Sequence, residues 1–316
     1  MKVSVVICSY SMDLYDNFCD AVDSILSQTY SDVELVIVID GTRRLYERVR
    51  SEFGGRDDCL IHCNDENQGV SYSRTKGAEL ASGDVVAFID DDAIAEPDWV
   101  AKLVEVYEST DALAVGGRMV GNWVAGRPSF LPVEFNWLVG VTYPGFASAG
   151  EEVRNTFESN ISFRRDVFLE LGGFDTDFGP TADSYSHSEG AEIGTRLQAT
   201  YGRGVVYAPE AVVQHTIFEH RTQLRWLLRR AFDQGVSKRQ METIATESTN
   251  EELGYLQYLF GERVPKRILS VGSRDAVKDI VQLLMLVVLT TCVCVGYLYS
   301  ILIEMCRNIQ KSFGLF

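Results

Sequence analysis

The sequence predicts an α/β protein built on a doubly wound sheet with flanking helices. Short apolar runs rich in Val and Ile, typical of buried parallel strands, occupy residues 3–8, 33–39, 59–62 and 85–89. Amphipathic helical patterns separate these runs. Strands and helices therefore alternate over roughly the first 110 residues, which is the pattern of a doubly wound sheet.

Two of the helical patterns carry an apolar stripe. The stripes are Phe18, Val22, Ile25 and Leu26 after the first strand, and Val100, Leu103, Val104 and Tyr107 after the fourth. Residues at this spacing share one face of a helix. The pattern predicts two helices that pack on the sheet through these faces.

Composition limits the class of protein. The chain has 316 residues, of which 46% are hydrophobic and 23% charged, enough for one large domain or two small ones with a buried core. Its formal charge of -16 argues against nucleic acid as a partner, because a phosphate backbone is bound by basic surface. Basic residues are mostly Arg, and the carboxylates are spread along the chain, which favours a solvated, salt-adapted surface.

Seven cysteines follow no paired framework, which predicts free thiols in a reducing compartment. Cys59, His62 and Cys63 resemble half of a metal site, but no second Cys/His pair completes four ligands. The apolar run at 3–8 is too short for a signal peptide. We therefore expect that the large N-terminal part is not exported.

Residues 280–303 form an apolar segment of 24 residues without a charge. As a helix it would be roughly 36 Å long, against about 30 Å of hydrocarbon. This predicts a transmembrane helix, the alternative being a buried core helix. More basic residues precede the segment than follow it, so the N-terminal part is expected on the cytoplasmic side of the cell membrane.

The segment "AFIDDDA" places Asp90, Asp91 and Asp92 directly after the fourth strand, and Asp40 follows the second. Ligands of doubly wound sheets bind at the carboxyl ends of strands. Adjacent carboxylates are stable as anions when a cation neutralises them, and hard divalent metals prefer oxygen ligands. The triplet favours Mg²⁺ or Mn²⁺ carrying phosphates. The alternative is a solvated acidic turn that caps the next helix.

Five segments occur in a characteristic order. They are "VSVVICSY", "VIVIDG", "NQGVSYSRTKGAELASGDVVAFIDDDA", "SNISFRRDVFLELGGFD" and "APEAVVQH". Together they resemble family 2 glycosyltransferases of the GT-A fold, over roughly residues 1–235. The resemblance implies a GT-A type mixed sheet and transfer of a sugar from a nucleotide diphosphate donor, with inversion at the anomeric carbon. "CNDENQG", "EVRNTFESNISF" and "DWV" further resemble haloarchaeal N-glycosylation enzymes that add a hexuronic acid to a dolichyl-phosphate-linked sugar.

The resemblance also implies a nucleotide site and a metal site. Ser9, Tyr10 and Asp40 match positions that hold the base and ribose, and Arg74 matches a basic position near the nucleotide. The Asp-x-Asp motif is Asp90 and Asp92, with Asp90 and Asp91 expected at the nucleotide, Asp92 as the direct ligand of Mg²⁺ or Mn²⁺, and His215 as a second metal ligand. A metal that bridges the phosphates would stabilise the departing diphosphate.

The catalytic base is where this sequence departs from its family. Members usually carry a Glu-Asp pair before an arginine-containing helix, and the Asp is the usual base. In "EGAEIGTRL", Glu189 keeps the first acid but Gly190 replaces the second. Glu192 precedes Arg196 by four residues, the spacing of a helical ion pair. We predict Glu189 as the base, with His187 as a weaker candidate.

The acceptor side is predicted from Arg225, Arg229 and Arg230, which fall on a probable helix near the apolar segment. They would clamp a lipid phosphate, or else form a solvated arginine-rich face. The predicted donor is a UDP-sugar and the predicted acceptor a dolichyl-phosphate-linked saccharide. One alternative is bare polyprenyl phosphate, which is already anionic and needs no base. The other is a non-catalytic membrane protein that binds nucleotide sugar, against which the intact Asp-x-Asp motif argues.

These observations predict four regions. Residues 1–240 form the GT-A domain, 241–279 a membrane-proximal linker with helices, 280–303 the transmembrane helix and 304–316 a short tail.

Overall fold

The computed structural model describes residues 1–179, 188–244, 254–270 and 276–312. The chain divides into two compact units. Unit 1 comprises residues 1–122, 147–185 and 189–216, and unit 2 comprises residues 123–146, 186–188 and 217–316. The predicted boundaries at 240, 279 and 303 stay a prediction.

Unit 1 is a mixed sheet with helices on both faces. Its strands are β1 (Val3–Ser9), β2 (Val33–Ile39), β3 (Cys59–Cys63), β4 (Val85–Asp90), β5 (Ala93–Ala95), β6 (Ala114–Trp123), β7 (Glu152–Val153), β8 (Ile161–Arg164) and β9 (Val205–Ile217). Its helices are α1 (Tyr15–Leu26), α2 (Arg43–Phe53), α3 (Val70–Leu80), α4 (Trp99–Ser109), α5 (Arg165–Glu170) and α6 (Glu189–Tyr201). All four predicted strands are present.

The order of strands is β3-β2-β1-β4-β8-β6-β9-β5, and β7 pairs with β9. β3, β2, β1 and β4 are parallel, whereas β8 is antiparallel to β4 and β5 is antiparallel to β9. The predicted GT-A type mixed sheet is confirmed. In register, Ser9 lies opposite Ile39 and Cys8 opposite Asp90, so β1, β2 and β4 end at one edge.

Alternating side chains of the central strands form two cores. Val5 and Ile7 pack with α1, α2 and α4 on one face, and Val6 packs with α3, α5 and α6 on the other. Each Val or Ile buried in this way contributes about 1.5–3 kcal/mol of hydrophobic free energy. The Val- and Ile-rich strands are therefore continuous apolar runs because both of their faces are covered.

Over its described residues, unit 2 consists mainly of helices and the irregular stretches that join them. It contains a 3₁₀ helix (Val133–Val139), α7 (Leu224–Ile244), a π-helix (Tyr258–Arg263), α8 (Val264–Ser270) and α9 (Ala276–Ser312). Leu227 of α7 and Leu286 and Leu289 of α9 share one core. At the α7–α9 contact, a Cβ on Gly296 would lie 2.0 Å from the Phe232 carbonyl oxygen, so glycine permits the close approach of the helices.

The apolar segment lies within α9. Of the described residues, only the helical stretch Ala276–Arg307 is long and apolar enough to cross a membrane. One side of this helix packs in the core of unit 2, while Leu284, Val287 and Leu298 on the other side are exposed. A partly packed helix with an exposed apolar side is compatible with lipid contact along that side.

Candidate active site

Acidic and basic side chains of unit 1 gather where β1, β2 and β4 end. Register alone brings Ser9, Asp40 and Asp90 to this edge, since each belongs to or directly follows a neighbouring parallel strand. This agrees with the sequence-based expectation for the carboxyl ends of strands.

Asp40 organises the loop that precedes α3. Its carboxylate is buried and accepts hydrogen bonds from Asn64 Nδ2 at 2.8 Å and from the backbone N–H groups of Gln68 and Gly69 at 2.9 and 2.8 Å. Gly41 allows this loop to pass, because its φ is +75° and an added Cβ would lie 2.3 Å from the Asn67 nitrogen. Sequence reasoning missed this holding role; the predicted contact with the base or ribose stays a prediction.

Ser9 and Tyr10 differ in exposure. Ser9 is buried at the end of β1 beside Asp91, whereas Tyr10 is 60% exposed. Burial raises the pKa of Asp91 to about 7, and the neighbouring carboxylates of Asp92 and Asp90 add to the rise. The site thus offers a ligand one exposed aromatic ring and a row of closely spaced carboxyl groups.

Arg74 of α3 links the Asp-x-Asp motif to α6. Its buried guanidinium donates from Nη2 to Asp90 Oδ1 at 2.6 Å and from Nη1 to Glu189 Oε1 at 3.1 Å. Burial alone would lower the pKa of Arg74, but these carboxylates raise it above its ordinary value. Arg74 therefore stays charged and holds two acidic side chains that are 99 residues apart in sequence.

Asp92 and His215 are brought together by the pairing of β5 with β9. Ala93 lies opposite His215, and the backbone N–H of Thr216 donates to the Asp92 carbonyl at 2.9 Å. His215 Nε2 consequently lies 3.6 Å from Asp92 Oδ1, and both side chains are buried. The sequence predicted these two residues as ligands of one metal, and the structure places them side by side.

This pair fits a divalent cation that is completed by other ligands. A separation of 3.6 Å suits two ligands of one ion, given metal–ligand distances of about 2.0–2.2 Å. No group of three or more His, Cys, Asp or Glu suited to a metal occurs among the residues that the structure describes. Phosphate oxygens and water would therefore supply the remaining positions, as is usual for Mg²⁺ at phosphate sites.

Two glutamates meet at the start of α6. Glu189 is 3% exposed; Oε1 accepts from Arg74, while Oε2 is buried without a hydrogen bond to the described residues. Glu158, in a 3₁₀ helix (Glu158–Asn160), accepts at Oε1 from the backbone N–H of Gly190 at 3.0 Å. Burial, then the nearby Glu158 carboxylate, raises the pKa of Glu189 to about 8, while Arg74 opposes the rise.

Gly190 makes room for Glu158. A Cβ on Gly190 would lie 2.2 Å from Glu158 Oε1 and 2.9 Å from its Cδ, closer than any real contact. The carboxylate of Glu158 therefore occupies space that a side chain at position 190 would need. Sequence reasoning missed Glu158, although it belongs to the segment "EVRNTFESNISF", because only the tertiary fold brings it to Gly190.

The other predicted residues fall into three groups. Glu192 and Arg196 form the expected i,i+4 ion pair, and Arg196 also donates to the Gly173 carbonyl at 2.7 Å, which is a structural role. His187 lies outside the described residues. The predicted lipid-phosphate residues Arg225, Arg229 and Arg230 lie on α7, in unit 2, and Arg229 Nε is 3.8 Å from Asp233 Oδ2; their role as a phosphate clamp stays a prediction.

The chain is similar in sequence to known glycosyltransferases. A model described as "Glycosyl transferase family 2" matches residues 4–172. The chain is 48% identical over 303 residues to the glucosyl-dolichyl phosphate glucuronosyltransferase of Haloferax volcanii, covering 96% of this chain and 97% of that protein. It is 26% identical over 222 residues to the glycosyltransferase AglE of Haloferax volcanii, covering 65% of each.

Solved structures share the fold at low sequence identity. The mannosyltransferase PcManGT of Pyrobaculum calidifontis, in complex with GDP-Man and Mn²⁺, superposes with a TM-score of 0.63 at 15% identity, over 95% of this chain and 87% of that one. S. aureus TarS 1-349 in complex with UDP superposes with a TM-score of 0.53 at 15% identity, over 74% of this chain and 65% of that one. Both likenesses concern the fold alone.

Proposed function

This chain belongs to glycosyl transferase family 2, and on that premise we propose that it transfers a glucuronosyl group from a UDP-sugar to a glucosyl-dolichyl phosphate type of acceptor, with inversion at the anomeric carbon. One observation carries the proposal. A relative named for this reaction is 48% identical along 96% of the chain, a similarity that extends over both units. The grouped charges of unit 1 supply the side chains that such a reaction needs.

At the donor, Asp92 and His215 would hold Mg²⁺ or Mn²⁺ together with the diphosphate. Bound there, the cation supplies charge stabilisation to the departing diphosphate. Arg74 holds the Asp90 carboxylate in one orientation beside this position. The carboxylate would then bind the ribose hydroxyls without first having to be ordered. UDP then needs no proton from the protein as it leaves.

At the nucleotide, the exposed ring of Tyr10 offers a face on which uracil can stack. Ser9 and Asp40 lie nearby in the chain fold, at the ends of the paired strands β1 and β2. Asp40 would contribute to nucleotide binding mainly by holding the loop before α3 in place, since its carboxylate already accepts three hydrogen bonds. Asp91, which is half-buried and directly precedes Asp92, would contribute to the floor of the nucleotide site.

On the acceptor side, a sugar hydroxyl must lose a proton during attack, because its pKa lies far above neutrality. A carboxylate within hydrogen-bond reach serves this purpose and contributes about 10²–10⁴-fold to the rate. Glu189, predicted from sequence, and Glu158, found beside it, are the carboxylates available at α6. A bare lipid phosphate would need neither.

The membrane is the source of the acceptor. We assign α9 as the single C-terminal span, with unit 1 in the cytoplasm, and α7 with Arg225, Arg229 and Arg230 as the contact for the lipid phosphate. Arg225 and Arg229 are exposed, as residues that pair with a phosphate at a membrane surface must be.

The test uses the purified full chain with vesicles that contain either glucosyl-dolichyl phosphate or dolichyl phosphate. Each is offered a panel of UDP-sugars with Mg²⁺ or Mn²⁺, and lipid products are identified by mass spectrometry. We expect one hexuronic acid to be added to the glucosyl lipid, from UDP-glucuronic acid only. Product on bare dolichyl phosphate alone would contradict the proposed acceptor. Nucleotide-sugar binding without any product would indicate the non-catalytic alternative.

A further inference from the structure

The carboxylates of Glu158 and Glu189 lie at the same end of α6, yet they are held in different ways. We propose that Glu158 is the general base that accepts the proton of the acceptor hydroxyl, and that Glu189 is a positioning residue acting through Arg74. The inference rests on the proposed function, since it needs an acceptor that carries a hydroxyl.

The two glutamate side chains differ in burial and in their bonds to Arg74. Glu189 is 3% exposed, and its Oε1 is bonded to the buried guanidinium of Arg74. Glu158 is half-buried as a residue, and its side chain makes no ion pair with Arg74. A general base must come within about 2.6–3.2 Å of the oxygen that loses its proton. Of the two, Glu158 can meet an acceptor without the Arg74 ion pairs being broken.

The backbone around Glu158 is fixed to the donor site. The next residue, Ser159, accepts a hydrogen bond at its Oγ from the backbone N–H of Asp90 at 2.9 Å. Two residues further on, β8 begins, and its Ile161 pairs with Phe88 of β4. Glu158 is thereby anchored to the same strand end that carries the Asp-x-Asp motif, which is where a base for attack on the donor sugar must stand.

Gly190 and Glu158 form a matched pair. The Gly190 N–H orients Oε1 at 3.0 Å, and the missing Cβ leaves the volume that this carboxylate fills. Glycine is a poor helix former, at a cost of about 0.5–1 kcal/mol relative to alanine inside a helix. Its presence in the first turn of α6 is explained by the carboxylate that it admits.

Four charged groups set the basicity of this position: Glu158, Glu189, Arg74 and Asp90. Burial raises the pKa of Glu158, Arg74 opposes the rise and Asp90 adds to it. A carboxylate whose pKa is raised toward neutrality accepts a proton more readily than an ordinary glutamate does. The arrangement favours proton uptake at Glu158 during attack.

The step balances without a further reactant. The acceptor oxygen forms its bond to the anomeric carbon as the bond from that carbon to the diphosphate oxygen breaks, and the electron pair of the broken bond leaves with UDP. The hydroxyl proton passes to the free oxygen of Glu158 and is then released to water.

The test compares Glu158→Gln with Glu189→Gln in the full chain on the glucosyl lipid acceptor. We expect Glu158→Gln to lose about 10²–10⁴-fold in kcat, with unchanged affinity for UDP. We also expect kcat to rise with pH in the wild type and not in this variant. Glutamine keeps the bond to the Gly190 N–H, so folding should be retained. Glu189→Gln should weaken UDP binding and lower the rate while keeping that rise with pH. Glu105→Gln, at an exposed carboxylate of α4, serves as the matched control.

Substitutions at Gly190 test the role of Glu158 even if Glu158→Gln folds poorly. Gly190→Asp alone should be inactive, because its side chain meets Glu158, whereas Gly190→Asp combined with Glu158→Ala should regain activity over Glu158→Ala. If the wild type is active and Glu158→Gln has a near-wild-type rate, Glu158 is not the base, whereas the proposed function still stands. A wild type that uses only bare lipid phosphate overturns the proposed function, and the base with it, because no hydroxyl proton is then transferred.

Discussion

His215 Nε2 lies 3.6 Å from Asp92 Oδ1, although 123 residues separate the two in sequence. The pairing of β5 with β9 produces this proximity, because it sets His215 opposite Ala93. Asp92 lies in the turn directly before β5 and His215 lies in β9, so the pairing of these two strands holds both side chains in place.

The metal pair gives the first prediction. Asp92→Ala should abolish transfer and remove Mn²⁺ binding in the presence of UDP, measured by titration calorimetry, because it deletes the carboxylate ligand. His215→Ala should weaken Mn²⁺ binding but leave part of it, since Asp92 and phosphate oxygens remain. EDTA should reproduce the effect of Asp92→Ala on activity. Full activity in EDTA would contradict a metal role for this pair.

Arg74 gives a prediction on stability. Arg74→Met should lower the free energy of unfolding by about 3–5 kcal/mol, because it leaves the carboxylates of Asp90 and Glu189 without their buried counter-charge. The matched control is Arg43→Met, which breaks an exposed i,i+4 pair with Glu47 and should cost less than about 1 kcal/mol. Urea unfolding followed by circular dichroism measures both. Equal losses for the two variants would show that the Arg74 pairs contribute no more than a surface contact.

Local sequence predicted the sheet well and the acceptor side poorly. Runs such as residues 85–89 show their structure directly, since a strand covered on both faces must be continuously apolar. Asp90 and Asp92 were equally visible, because they follow such a strand. The role of Glu158 and the bonds of Asp40 could not be predicted, since both depend on contacts between segments that are remote in sequence.

The raised pKa of Glu189 gives a prediction on pH. Its value of about 8 in the folded chain exceeds the ordinary value of about 4.3 for an unfolded glutamate. Between these values the folded state holds a proton that the unfolded state has lost, so stability falls as pH rises through this range. Glu189→Gln removes this titrating group, so the stability of the variant should fall less than that of the wild type between about pH 5 and 8. The midpoint of thermal unfolding, followed across this range for wild type and variant, makes the comparison. Parallel curves for the two proteins would contradict it, provided Glu105→Gln also matches the wild type.

The two sides of α9 give the last prediction. Leu284 and Val287 are exposed, whereas Leu286 is fully buried in the core of unit 2. If lipid covers the exposed side, the double substitution Leu284→Ser and Val287→Ser should reduce binding to lipid vesicles in flotation. Each Å² of apolar contact with lipid that is lost weakens binding by about 25 cal/mol. The helical signal should stay unchanged. Leu286→Ala should instead cost about 2–5 kcal/mol of stability through the cavity that it leaves, with little change in flotation of the protein that remains folded. Equal flotation of the serine variant and the wild type in high salt would mean that this side of α9 does not face lipid. The apolar side would then need another partner, and concentration-dependent sedimentation of the full chain in detergent would test for a second copy of it.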